Sequence, residues 1–369
     1  MRAYVNGKIF TGAKVLHGYG VLAQAGKVLD VVPVAAIPKS AEAIDLQNGL
    51  LAPGFMDLQI YGGNGAFFGE FPSVEALKAT LAYCRAGGAT SFLPTVATNS
   101  GSVMFAAVDA VREYWRQGGR GVLGLHLEGP YINPEKRGAH LKQFIQTPDI
   151  QGLKNLLDYG RGVVKMMTIA PEIFPEAVLD DLLQQDIICS AGHTNATYAQ
   201  ARDAFQKGIR TATHLFNAMS PLQHREPGMV GAILDTSGVA VSMVADGHHV
   251  DYAAIRIAKK VLKERMFLIT DAVTTNRDGQ YSHRLQGDKY VVADGTLSGS
   301  ALTMVKAVRN VVQHCGIPLN EALRMAALYP ARVMSLDDSR GNIGPGFAEN
   351  FVLLDKSLNV LSVIDHTEG

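Results

Sequence analysis
Four short stretches carry residue types that can hold a metal ion and activate water. Gly124-Leu125-His126-Leu127-Glu128-Gly129-Pro130 is an apolar run that delivers one carboxylate, Glu128, to a Gly-Pro break. Burying such a charge is costly unless something positive meets it, which here means either a metal ion or a neighbouring Arg or Lys. The segments Ser190-Ala191-Gly192-His193 and Ala212-Thr213-His214 each end a later apolar run in a histidine. One such histidine alone reads as a hydrogen-bonded core residue, but two with a carboxylate make a catalytic donor set that leaves a coordination position open. Leu268-Ile269-Thr270-Asp271 adds an aspartate. It could cap the following segment, or it could take the proton of an activated water as general base.

Polar loops follow several of these runs: Lys136-Arg137-Gly138-Ala139-His140, Ser220-Pro221-Leu222-Gln223-His224-Arg225-Glu226 and Asp246-Gly247-His248-His249. Taken singly, these are surface residues. Gathered at one mouth they make a cationic pocket suited to a small anionic substrate, with Arg offering a planar fork to phosphate or carboxylate.

The elements that must position these groups alternate apolar strands with helical patterns, which points to a parallel α/β sheet. Strands are expected at Leu51–Leu58, Thr90–Pro94, Val122–Glu128, Val163–Ile169, Ile187–Gly192, Thr211–His214, Val241–Ala245 and Phe267–Thr270. Helices are expected at Ser73–Ala86, Ser102–Gln117, Phe174–Gln185, Thr197–Lys207 and Tyr252–Lys263. This order predicts an α/β fold, a (β/α)8 TIM-like barrel over residues 51–334. A doubly wound open sheet is the alternative, but no GxGxxG follows the first strand, and polar groups at many strand ends suit one barrel mouth. Short β pieces at both ends (1–50 and 335–369) predict a small β-sandwich-like domain built from both termini.

The chain has 369 residues, 47% hydrophobic and 18% charged, with 34 basic against 34 acidic side chains. That balance gives no reason to expect nucleic acid or an anionic membrane as partner. Cys84, Cys189 and Cys315 lack CxxC spacing, so neither a disulfide framework nor a thiolate zinc site is expected. The start, Met1-Arg2-Ala3-Tyr4-Val5-Asn6-Gly7, alternates like a strand and has no signal-peptide core, and no uncharged run approaches the ~20 residues of a membrane span. A cytoplasmic enzyme is the expectation.

Seven segments resemble the amidohydrolase superfamily and, within it, the N-acetylglucosamine-6-phosphate deacetylases: Pro53-Gly54-Phe55-Met56-Asp57, His126-Leu127-Glu128-Gly129-Pro130, Gly192-His193-Thr194-Asn195-Ala196, Thr213-His214-Leu215-Phe216-Asn217-Ala218-Met219, Ala245-Asp246-Gly247-His248-His249-Val250, Thr270-Asp271-Ala272 and Leu297-Ser298-Gly299-Ser300-Ala301-Leu302-Thr303-Met304. The resemblance implies a divalent metal, foremost Zn2+, held by Glu128, His193 and His214, with Asp271 as acid/base and His140 polarising the acetamide carbonyl. Fe2+, Co2+ or Mn2+ would also suit two imidazoles and a carboxylate. It further implies that Arg225, His249, Asn217 and the backbone near Gly129, Ala218 and Leu302 hold a phosphorylated amino sugar, and that the enzyme is a homodimer in which a neighbouring subunit helps at the phosphate end. One departure matters: Gln59 and Tyr61 stand where most amidohydrolases carry His-x-His, so a single-metal site is expected. No Lys ends the fourth strand to serve as a carbamylated bridge. A cyclic-amide hydrolase, a deaminase and a non-catalytic barrel are the competing readings.

Overall fold
The computed structural model describes residues 1–276 and 279–366. Eight parallel strands form the central sheet: β1 (Phe55–Ile60), β2 (Ala89–Ala97), β3 (Leu125–Glu128), β4 (Val164–Ile169), β5 (Ile188–Ala191), β6 (Thr211–Ala212), β7 (Ala240–Val244) and β8 (Met266–Ile269). They pair in sequence order. The Ile60–Ala272 bridge and the Tyr61 N–H donated to the Ala272 carbonyl bring the two edges together into a barrel. Nearly every strand residue is buried, as expected when a parallel sheet is covered on both faces.

Helices α1 (Val74–Ala86), α2 (Gly101–Arg116), α3 (Ile150–Tyr159), α4 (Glu176–Leu183), α5 (Tyr198–Lys207), α6 (Gly228–Asp235), α7 (Tyr252–Leu262) and α8 (Met304–Cys315) follow the strands in turn. Side-chain caps set several of their starts. Thr197 and Gln200 form a reciprocal capping box on α5, and Ser73, Asp251 and Thr303 cap α1, α7 and α8. A three-stranded antiparallel flap, β9 (Arg284–Gln286), β10 (Lys289–Val291) and β11 (Leu297–Ser300), lies between β8 and α8.

The termini form two further sheets. One has four strands drawn from residues 2–45, and the other joins Lys8–Phe10, Val15–Leu16 and Leu50–Pro53 to Asn350–Leu354 and Val360–Asp365. A separate core containing Tyr4, Ile9, Val21, Leu51, Phe351 and Leu353 fills this part. Glu349, fully buried, accepts from Arg2 Nε and Tyr4 Oη at 2.7 Å each and so ties the two chain ends together.

Residues 3–10 contribute to two strands in different sheets, separated where Asn6 adopts a φ of 60°. The expected Leu51–Leu58 strand breaks at Gly54: Leu50–Pro53 pairs in the terminal sheet, and the barrel strand starts at Phe55. A Cβ on Gly54 would lie 2.3 Å from Asn350 Oδ1 and 2.4 Å from Thr90 Oγ1, so only glycine allows the chain to pass between the two sheets there. Residues 367–369 of the expected C-terminal part lie outside the described residues.

Candidate metal and catalytic site
The carboxyl ends of the strands surround a cavity of about 180 Å³ lined by Glu128, His140, His193, His214, Asp271 and their neighbours. The strand register delivers Glu128 there. It is the last residue of β3, level with Ala97 on β2 and Thr168 on β4. His193, His214 and Asp271 stand just past the ends of β5, β6 and β8, with φ of 48°, 32° and 54°. Non-glycine residues in this left-handed region are strained, and three of them at one barrel mouth mark a constellation held by its surroundings.

Glu128 is 1% exposed. Its Oε1 lies 3.3 Å from His193 Nε2 and 3.1 Å from His214 Nε2, and the two imidazole nitrogens are themselves 3.1 Å apart. Its Oε2 contacts His140 Nε2 at 3.0 Å and accepts from Tyr61 Oη. Burial works to raise the Glu128 pKa, but the imidazoles of His193, His140 and His214 outweigh it and hold the group well below the ordinary carboxylate range. Glu128, His140 and His193 present ligand atoms within 4.8 Å of one another and could together hold a metal ion.

Hydrogen-bond partners assign the tautomers. His193 Nδ1 lies 2.9 Å from the Lys136 carbonyl, which can only accept, so Nδ1 carries the proton and the Nε2 lone pair faces Glu128 and His214. His140 is the reverse. Its Nδ1 accepts from the Thr98 N–H at 3.2 Å, so Nε2 carries the proton. Burial lowers the His140 pKa to about 4, which keeps the ring neutral in this form near neutral pH. His214 Nδ1 is buried without a partner.

Gln59 joins the two carboxylates. Its Nε2 donates at 2.9 Å to both Glu128 Oε1 and Asp271 Oδ1, while its Oε1 accepts from Thr213. From the sequence, Gln59 and Tyr61 read only as weak metal ligands; the structure places both as hydrogen-bond donors to the carboxylates. Burial pushes the Asp271 carboxyl above its ordinary value against the pull of His214, and the Glu128 charge adds to the rise.

Among the residues expected to hold substrate, Asn217, Ala218 and His249 line the cavity. Asp246 orients His249 through a 2.6 Å contact to Nδ1. Gly129, Leu302 and Arg225 do not line it. Leu302 is buried against Tyr83, whose hydroxyl donates to its carbonyl, and Arg225 sits on an exposed loop. Tyr281 and His283, which sequence reasoning did not single out, form part of the wall.

His126 lies behind the site, with Nδ1 donating to the Leu58 carbonyl and Nε2 bonded to Thr168. Burial lowers its pKa to about 4. The unfolded chain takes up this proton below about 6.5 while the folded chain resists until about 4, so His126 withdraws stability as the pH falls through that window. The His126→Gln variant is expected to lose this dependence, a difference of roughly 3 kcal/mol between the two pH values. Urea unfolding of both proteins across pH 4–7 reads it, and parallel acid limbs would refute it.

A barrel mouth that gathers buried imidazoles and two buried carboxyl groups is the arrangement of a metal-dependent hydrolase. Comparison with known proteins makes this specific. The amidohydrolase family matches residues 50–367, and the NagA composite domain matches residues 1–51. The chain is 36% identical to N-acetylglucosamine-6-phosphate deacetylase of Haemophilus influenzae over 98% of this chain and 97% of that protein. The crystal structure of the Pasteurella multocida enzyme of that name superposes with a TM-score of 0.95 at 37% identity, covering 100% of this chain and 98% of that one. An Asp-to-Ala mutant of the Mycobacterium smegmatis enzyme, solved in complex with N-acetyl-D-glucosamine-6-phosphate, superposes with a TM-score of 0.91 at 31% identity, covering 100% and 98%. The chain belongs to the amidohydrolase family.

Proposed function
We propose that the chain hydrolyses the acetamide of N-acetylglucosamine 6-phosphate, giving glucosamine 6-phosphate and acetate. The meeting of three lone-pair donors, a buried aspartate and an imidazole N–H in one cavity carries this reading. Relatives bearing that activity along almost the whole chain supply the substrate and leave the cyclic-amide hydrolase, deaminase and scaffold readings without support.

The metal ligands in this proposal are Glu128, His193 and His214. Four-coordinate zinc with bonds of ~2.0–2.1 Å separates its ligands by roughly 3.3–3.4 Å, and the three donor atoms stand 3.1–3.3 Å apart. One Zn2+ per chain is the assignment, since Gln59 and Tyr61 are engaged as donors. When bound, such an ion supplies a Lewis acid and brings the pKa of a coordinated water towards about 7.

The remaining work falls to the chain itself. Asp271, oriented by Gln59, takes the proton of the attacking water and passes it to the departing amine. His140, whose Nε2–H meets Glu128 Oε2 here, turns that N–H to the acetyl oxygen as negative charge gathers there. His249, Asn217 and Ala218 hold the sugar. The enzyme works in the cytoplasm as a homodimer, in which the exposed Arg225 loop serves the phosphate of the partner's site.

The test is acetate release from N-acetylglucosamine and from its 6-phosphate, with metal measured on the same samples. A strong preference for the phosphate is expected, and Arg225→Ala should raise KM for the phosphate by about tenfold, the loss of one charge-assisted pair, while leaving the unphosphorylated sugar unaffected. Equal rates on both sugars would remove the phosphate assignment.

A further inference from the structure
The order of strands around the mouth divides the cavity into two chemically different arcs. Asp271 follows β8 and Glu128 ends β3, with β1 and β2 between them on the shorter way round. The groups on this short arc are Tyr61, Phe67, Ala97, Val273 and Tyr281, with the His283 ring packed against Phe67 and Tyr281 behind them. All five line the cavity, all are at most 6% exposed, and they belong to one apolar cluster separate from the main barrel core. The longer arc, β5 to β7, brings His193, His214, Asn217, Ala218 and His249 to the same cavity.

An acylated amine presents three groups around its carbonyl carbon: the oxygen, the nitrogen with its sugar, and the acyl chain. The reading under Proposed function, on which this inference rests, sends the oxygen to His140 and the nitrogen to Asp271. The sugar carries hydroxyls and a phosphate, and the long arc is the polar one. The acyl chain therefore falls on the short arc, where an alkyl group meets alkyl and aromatic surface and displaces no hydrogen bond.

The walls of that arc are braced. The Tyr281 hydroxyl donates to the Thr98 carbonyl at 2.6 Å and accepts from the Leu141 N–H at 3.3 Å. Tyr61 is held by its hydroxyl on Glu128 and by its N–H on the Ala272 carbonyl. The Phe67 ring stands edge-on to His283, with centroids 4.8 Å apart. Ala97 sits level with Glu128 across the β2–β3 pair, so any atom added to its side chain enters the space beside the reacting carbonyl. Braced walls around a small space discriminate by length, because neither can yield to an extra methylene.

We propose that Phe67, Ala97 and Val273 form the acyl-chain subsite and set the length of the acyl group removed, admitting acetyl and excluding longer chains. One methylene in an apolar pocket is worth about 10–200-fold in discrimination, and the three positions predict changes of opposite sign. Phe67→Ala opens the pocket and should raise the ratio of kcat/KM for N-butyryl over N-acetyl glucosamine 6-phosphate by about tenfold or more. Val273→Ala removes only two methyl groups and should raise the N-propionyl to N-acetyl ratio in the same direction. Ala97→Val fills the space and should raise the N-formyl to N-acetyl ratio, chiefly by lowering turnover of the acetyl substrate.

The four acyl substrates are assayed with each variant and the parent enzyme, and metal content is measured alongside. Ratios that shift as stated establish the subsite. Ratios within twofold of the parent in metal-loaded Val273→Ala and Ala97→Val overturn it, whether or not Phe67→Ala folds. A parent enzyme that releases no acetate from N-acetylglucosamine 6-phosphate is a separate result, which refutes the deacetylase reading itself.

Discussion

Asp271→Asn is expected to lower kcat by about 10²–10⁴-fold, the range lost with a general acid/base, while leaving one metal ion per chain. The side chain is 8% exposed at a backbone φ of 54°. Asparagine has the same shape, and its Oδ1 can still accept from Gln59 Nε2, so the position of the group should survive. What it loses is the capacity to hold a proton between water and amine. Since the base acts only when ionised, the parent's activity should fall on the acid side as Asp271 takes up a proton, and the variant's residual rate should not follow that limb. Elemental analysis and single-turnover rates across pH read both quantities. A variant within tenfold of the parent, with its acid limb intact, would put the proton transfer on another residue.

Much of this arrangement is legible in the chain because strand ends announce themselves. An apolar run closing on Glu128, His193, His214 or Asp271 shows both where the strand stops and what it carries to the mouth. Gln59 is different. Its type says nothing about the carboxylates it joins, 69 and 212 residues away, because that role exists only once β1 lies between β8 and β2. The His140 tautomer depends likewise on the Thr98 N–H at the end of a different strand. The break at Gly54 escapes a reading of hydrophobicity, since Leu50–Pro53 and Phe55–Ile60 are buried throughout and differ in the sheet each pairs with. Arg225 is different again: its sequence neighbours suggested the pocket, and the loop after β6 leaves it exposed, off the cavity wall of its own chain.

Two histidines compete for one place beside Glu128, and exchanging them separates their roles. Distance alone does not decide, since His140 and His214 approach Glu128 to 3.0 and 3.1 Å. They approach different oxygens. His214 Nε2 shares Oε1 with His193 and stands 3.1 Å from the lone pair of that ring, so one cation placed among them would meet all three atoms. His140 Nε2 faces Oε2, and the Thr98 N–H on its Nδ1 commits Nε2 to being a donor. Ligation through Nε2 would require His140 to surrender that proton and break the bond from Thr98. His214→Asn is therefore expected to weaken zinc binding by more than about 100-fold, beyond the loss typical of an outer hydrogen-bond partner. His140→Asn should keep the metal and lose about 10²–10³-fold in kcat, as removal of one oxyanion donor does. Titration with a competing chelator, alongside kcat at saturating zinc, gives both numbers for each variant. The reverse pattern, with metal lost from His140→Asn and kept by His214→Asn, would make Glu128, His140 and His193 the ligand set and leave the acetyl oxygen without its proposed donor.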